Sequence, residues 1–294
     1  MDSMPLAFDD SSVLTVLEPP ERTVPLVFSS PHSGREYPPD FVAASRLDPQ
    51  GLRRSEDSFV DELFVSALRW GAPLLAARFP RAFCDPNREP YELDPAMFSG
   101  QLPHYANTRS PRVAAGLGTI ARVVATGAEI YRAKLPVDEA ERRVAQYYRP
   151  YHRRLAALLD ETRVLFGWSL LVDCHSMPSI GGPMDRDVGV SRVEVVLGDC
   201  YGASCAPLIT QVAEDAFRAR GYRVVRNAPY AGGFTTRHYG QPRHGSHALQ
   251  IEINRALYMD EARHEKLPGF TQLAADLEGV VAALAELTRD HAFP

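Results

Sequence analysis

"LLVDCHSMPS", residues 170 to 179, is the stretch on which the reading of this chain turns. The apolar run Leu170-Leu171-Val172 leads into Asp173, and His175 follows two residues later. In a strand, residues two apart point to one face, so Asp173 and His175 share a face while Cys174 takes the other. An imidazole and a carboxylate then sit at the carboxyl end of a buried strand, where open α/β sheets place their ligand crevice. A carboxylate beside a histidine suits orientation of a metal-binding ring, and equally suits a satisfied His–Asp pair that closes a loop.

Working outward, short apolar runs alternate with amphipathic segments, which is the pattern of an α/β domain. Strands are expected at Val24–Ser30, Pro73–Phe79, Ser169–Cys174, Val193–Leu197, Tyr222–Arg226 and Ala248–Asn254. SEDSFVDELFVSALRWG (55–71) reads as a helix capped by Ser55, with Val60, Phe64 and Leu68 on one face and Gly71 as its stop. Residues 138–166 read as a long helix, or a pair bent at Pro150. Ala203–Arg220 and Leu267–Leu287 are further helices. The segment 84–126, rich in Pro, Asn and Gly, is loop-like and long enough to build a wall or lid. With neither repeats nor low-complexity linkers, residues 1–294 are expected to form a single domain.

Composition narrows the classes of function. Hydrophobic residues at 45% and charged residues at 23% fit a globular, ordered chain. A formal charge of −5 with dispersed arginines offers no nucleic-acid footprint. The four cysteines form no C-x-x-C pair, which disfavours a disulfide framework or a sulfur-rich zinc site and suits a reduced, cytoplasmic setting. MDSMPLAFDDSS lacks the basic-then-apolar order of a leader, and no apolar run reaches the roughly 20 residues of a membrane span.

Chemistry-bearing residues recur at the ends of the expected elements. His32 follows a strand in SSPHSG, where an imidazole is a turn filler, a base or a metal ligand. Glu56 and Asp57 open the 55–71 segment, where acids also serve as helix-dipole partners. In HALQIEINRALYMDE, alternation puts Gln250, Glu252 and Asn254 on one face and Leu249, Ile251 and Ile253 on the other, as in an edge strand with one wet face. Three N/O ligands leave a fourth position on zinc for water, whose pKa the ion lowers to roughly 7. A further carboxylate can then move the proton. RAFCDPNREP (81–90) brings Arg81, Asn87 and Arg88, of which an adjacent Asn-Arg can hold a carboxylate or simply shape a turn. YAGGFTTRHYG (230–240) adds Arg237 after a Gly-Gly, as a second anion contact or a plain glycine loop. HExxH and GxSxG are absent from the sequence, so zincin and α/β-hydrolase signatures are missing.

Taken in order, SSPHSG, EDSFVDEL, CDPNR, VDCHSMPS, GGFTTRHYG and QIEINRALYM resemble the N-formylglutamate amidohydrolase family over about residues 24 to 262. The resemblance implies a three-layer α/β/α fold with a mixed central sheet, like zinc-dependent exopeptidases of the phosphorylase/hydrolase-like kind. It implies His32 and His175 as metal ligands, with Asp57 as the third and Glu56 as its alternative. It further implies Glu252 as general base and acid, Asn87 and Arg88 on a substrate carboxylate, and Arg237 on a second one. Arg81 joins the substrate-binding set and Asp173 the outer ring of the metal site. The implied cofactor is Zn2+ or another divalent ion, and the implied substrate a small N-acyl amino acid, N-formyl-L-glutamate first. Neither nucleic acid nor membrane is an expected partner, and a homo-oligomer is compatible with the sequence. Related readings are a peptidoglycan-type amidase, a carboxypeptidase, or a homologue that binds metal or ligand without catalysis. The loop EPYELDPAMFSGQLP departs in length and composition from the histidine-degradation deformylase form.

Overall fold

Seven strands form one mixed sheet, and the alternation of their side chains divides the core into two layers. The computed structural model describes residues 12–185 and 187–293; the N-terminal stretch read above as lacking a leader falls largely outside them. In chain order the strands are β1 (Leu14–Leu17), β2 (Leu26–Ser30), β3 (Leu74–Ala77), β4 (Ser169–Met177), β5 (Val195–Gly198), β6 (Val224–Arg226) and β7 (Ser246–Asn254). Their spatial order is β1-β3-β2-β4-β7-β5-β6. The centre, β3-β2-β4-β7, is parallel, while β1 joins β3 and β5 joins β7 antiparallel.

All six expected strands are present. β1 was not anticipated: LTVL is four residues long and pairs only along the edge, too short to show a periodic signal. Leu26, Phe28, Leu170, Val172, Leu249 and Ile251 face one layer, with Ile209 and Phe217 of α3 (Pro207–Arg218) and Leu277 and Leu284 of α5 (Gly269–Asp290). Val27, Leu75, Leu171 and Ala248 face the other, with Tyr151, Leu155 and Leu158 of α2 (Arg149–Phe166) and loop residues Phe83, Ile120 and Ile130. Burying each such side chain contributes roughly 1.5–3 kcal/mol, which is why strand register is tightly held.

α1 (Val137–Arg143) runs through a π-helical turn, Val144–Tyr148, into α2. The wider turn meets the needs of Pro150, which lacks an N–H and crowds the carbonyl four residues back. The 55–71 segment corrects the sequence reading. Helical turns begin only at Val60–Leu63 and continue as a 3-10 segment, Val65–Trp70, ending at Gly71 with φ 78°. Phe59 sits at φ 67°, and Asp57 N–H donates to the His32 carbonyl at 3.0 Å, so residues 56–59 leave helical geometry to serve a long-range contact. Ser55 is no cap; its Oγ accepts from Ala125 N–H at 2.9 Å.

Residues 84–126 do form a wall over the second layer. It is anchored by buried Leu93, Ile120 and Val124 and contains the short helix Pro111–Ala114. Among the described residues, no helix is long and apolar enough to cross a membrane.

Candidate active site

The carboxyl ends of β2, β4 and β7 meet beneath the wall. His32 lies just past β2, in a turn that Gly34 makes feasible: a Cβ there would stand 2.1 Å from the Phe79 carbonyl oxygen. Asp57 arrives on the non-helical stretch described above, and His175 rises from β4. All three side chains are buried, and their ligand-type atoms lie within 4.8 Å of one another. His175 Nδ1 stands 3.1 Å from Asp57 Oδ2, and His32 Nδ1 stands 3.4 Å from the same oxygen.

The opposite ring nitrogens are tied to other carboxylates. His32 Nε2 meets Asp85 Oδ1 at 2.7 Å, and His175 Nε2 meets Asp173 Oδ2 at 3.1 Å. Asp57 Oδ1 is held by Arg255 Nη2 at 2.8 Å. Two imidazoles therefore turn their inward nitrogens toward one carboxylate oxygen while outer carboxylates fix their tilt. His32 Nδ1 is buried without a hydrogen-bond partner, a costly state for a polar atom. Two nitrogens and one oxygen in a buried cluster, one nitrogen orphaned, fit a divalent cation of the zinc type. Glu56, the alternative third acid, points elsewhere: Arg53, Tyr37 and Ser58 all donate to its carboxylate, at 2.6 to 3.1 Å.

Electrostatics separate two carboxylates of the site. Burial opposes charge on Asp57, yet His175, His32 and Arg255 beside it hold its carboxyl well below the usual range. Glu252 is pushed up to about 7, chiefly by burial, with the Asp57 charge adding to it and His175 opposing. A buried acid near 7 can both accept and return a proton at neutral pH. Glu252 lies directly across from His175 in the β4–β7 register. Its Oε1 accepts from Gln250 Nε2 at 2.9 Å, and Gln250 Oε1 in turn accepts from Gly233 N–H at 2.7 Å. His32 is lowered by burial and by the nearby Arg81 guanidinium, which favours a neutral ring with a free lone pair. Burial also opposes charge on His175, but Asp173 and Asp57 raise it well above its ordinary value.

The arginines line the wall side. Arg88 is buried; its Nε donates to the Leu117 carbonyl at 2.8 Å and its Nη2 lies 3.6 Å from Asp85. Arg81 is drawn onto Asp85 at 2.8 Å, with its other end 3.9 Å from Asp57. Asn87 Oδ1 accepts from Thr235 N–H at 2.9 Å, which leaves Nδ2 near His175 Nε2 at 3.2 Å. Arg237 is exposed on α4 (Phe234–Tyr239) and donates to the Gly232 carbonyl at 2.8 Å. Sequence reasoning gave no role to Asp85, Arg255 or Gln250. Asp85 stood in plain view in CDPNR, two residues before Asn87, but its partner His32 is 53 residues away.

A sequence model described as N-formylglutamate amidohydrolase matches residues 24–259. The chain is 32% identical over 241 residues to an N-formylglutamate deformylase of Pseudomonas aeruginosa, covering 81% of this chain and 83% of that relative. An N-formylglutamate deformylase of Pseudomonas putida is 30% identical over 242 residues, with the same coverage, 81% and 83%. Among solved structures, an N-formylglutamate amidohydrolase from Ralstonia eutropha superposes with a TM-score of 0.87 at 37% identity, over 95% of this chain and 99% of that one. A gene product of Agrobacterium tumefaciens, 20% identical with a TM-score of 0.66 over 94% of this chain and 96% of that one, shares the fold.

Proposed function

The chain belongs to the N-formylglutamate amidohydrolase family, and from that premise we propose that it hydrolyses N-formyl-L-glutamate to formate and L-glutamate with a divalent ion, zinc first, at His32, Asp57 and His175. The observation that carries the metal reading is the pair of inward-facing Nδ1 atoms on Asp57 Oδ2, each ring braced from behind by a carboxylate. When bound, such an ion polarises a carbonyl and acidifies water.

The remaining work falls to the chain. With an ion bound, Asp85 and Asp173 would accept a hydrogen bond from Nε2–H of each imidazole and so leave Nδ1 as the lone pair that faces it. Arg255 keeps Asp57 charged in a buried place. Gln250 occupies Oε1 of Glu252, so Oε2 is the atom that takes a proton from the attacking water and delivers it to the departing nitrogen. Arg88, with Arg81 and the Nδ2 end of Asn87 beside it, holds the substrate carboxylate close to that centre.

Metal analysis of the purified protein, run with formate release from a panel of N-formyl and N-acetyl amino acids, tests this. About one divalent ion per chain and preferred turnover of N-formyl-L-glutamate are expected. A metal-free protein inert on the whole panel would sink the proposal.

A further inference from the structure

Arg112 belongs to none of the sequence motifs, yet the fold docks the turn that carries it onto Arg88. It sits in the short helix Pro111–Ala114, and its carbonyl accepts from Leu117 N–H at 2.8 Å. The Leu117 carbonyl in turn accepts from Arg88 Nε at 2.8 Å, so the turn that carries Arg112 is docked onto the Arg88 side chain. On the opposite side, Asn87 Oδ1 grips Thr235 N–H in the first turn of α4, the helix that carries Arg237. Arg112 and Arg237 therefore come from the two segments that clasp Asn87-Arg88.

Their charges are poorly matched by the protein. Arg81 and Arg88 share Asp85, whereas neither Arg112 nor Arg237 forms an ion pair among the described residues. Burial pushes the Arg112 guanidinium down, Arg237 and Arg81 push it further, and Asp85 and Glu92 work against them. Arg88 falls to about 9, with burial first and the Arg112 charge second. Exposure increases along the row: Arg88 is buried, Arg112 half-buried and Arg237 exposed. Arginines brought to one side of a site in excess of their ion-paired acids, here Asp85 alone for Arg81 and Arg88, are relieved by an added anion, and a planar carboxylate suits two forks.

We propose that Arg112, acting with Arg237, binds the side-chain carboxylate of an acidic N-acyl amino acid, and so sets the preference for a dicarboxylate substrate. This rests on the amidohydrolase reading above and refines it. Arg88 takes the inner carboxylate and Arg112 the outer one, which makes Arg112 a specificity-determining residue with no part in bond cleavage.

Two measurements on the metal-loaded protein test it. The first is the ratio of kcat/KM for N-formyl-L-glutamate to that for N-formyl-L-glutamine, whose side chain is its neutral isostere. Arg112→Gln is expected to lower that ratio about 10- to 100-fold, the range of one charge-assisted contact, and Arg112→Lys to restore part of it. A ratio within a factor of about 3 of wild type overturns the assignment. The second is calorimetric binding of glutarate, which needs no turnover. Arg112→Gln is expected to weaken it about 10-fold or more. Undiminished glutarate binding, or none to the wild type, also overturns the assignment. Arg112-dependent glutarate binding by a protein inert on N-formyl-L-glutamate upholds the anion site and defeats the hydrolase reading instead.

Discussion

The floor of the site and its wall are built from different kinds of chain. The floor is the ends of β2, β4 and β7, where His32, His175 and Glu252 stand on a sheet whose register is fixed by two packed layers. The wall is loop with one short helix; it carries Asn87, Arg88 and Arg112, with Arg81 just ahead of it, and is held largely by hydrogen bonds to carbonyls and by the Arg81–Asp85 pair. Strand ends hold atoms at fixed spacing, as proton transfer and ligand geometry demand. Loops tolerate substitution and change of length, as a surface that reads the rest of a substrate demands. On the proposed function, the difference puts chemistry on the floor and recognition in the wall.

The sharpest way to break that division is Glu252→Gln. It should lower kcat about 10²- to 10⁴-fold with metal content and KM near wild type. A variant that turns over normally would remove Glu252 from the proton path. Arg88→Lys strikes the wall instead, where loss of the planar fork should cost about 10- to 100-fold in kcat/KM, mainly through KM. If the loss sat wholly in kcat, the wall would be part of the chemistry and the division would fail. Asp85→Asn lies on the seam, since Asp85 braces His32 and pairs with Arg81. Metal affinity should weaken about 10- to 100-fold in a competition with a chelating dye. Unchanged affinity would mean that Asp85 serves only the arginines.

A last expectation concerns stability and pH, away from the chemistry itself. His152 ties the wall to α4: its Nε2 donates to the Pro86 carbonyl at 2.8 Å and its Nδ1 accepts from Tyr239 Oη at 2.9 Å. Burial lowers its pKa to about 4. Above pH 6.5 the ring is neutral in both folded and unfolded chains. As pH falls from 6.5 toward 4, the unfolded chain takes up the proton first, so stability drops by up to about 3 kcal/mol. Denaturant midpoints measured across that range should fall more steeply for wild type than for His152→Gln. Parallel slopes would show that the ring is not kept neutral.

The floor was largely legible in the sequence, because alternation in HALQIEIN and the apolar run before Asp173 are local signals of strands and their faces. The 55–71 segment shows where local signals mislead. Val60, Phe64 and Leu68 do recur at helical spacing, but Asp57 is claimed by His32, His175 and Arg255, and that long-range demand outweighs helix propensity. The family motifs carried His32, Asp57 and His175 as a set, and the structure brings these three together. Asp85, Arg255 and Arg112 stayed silent because each acquires its neighbours across loops, and Arg255 reaches Asp57 over 198 residues.

Gly34 has a consequence for anyone who would redesign this centre. Its α-carbon faces the Phe79 carbonyl so closely that no side chain fits, which presses the His32 turn against the segment leading into Arg81 and Asp85. His32 and its brace Asp85 therefore travel as one module, two backbones in direct contact. Grafting the proposed metal site onto another scaffold requires both segments of that module, and a graft that copies His32, Asp57 and His175 alone would leave His32 without the partner that aims it.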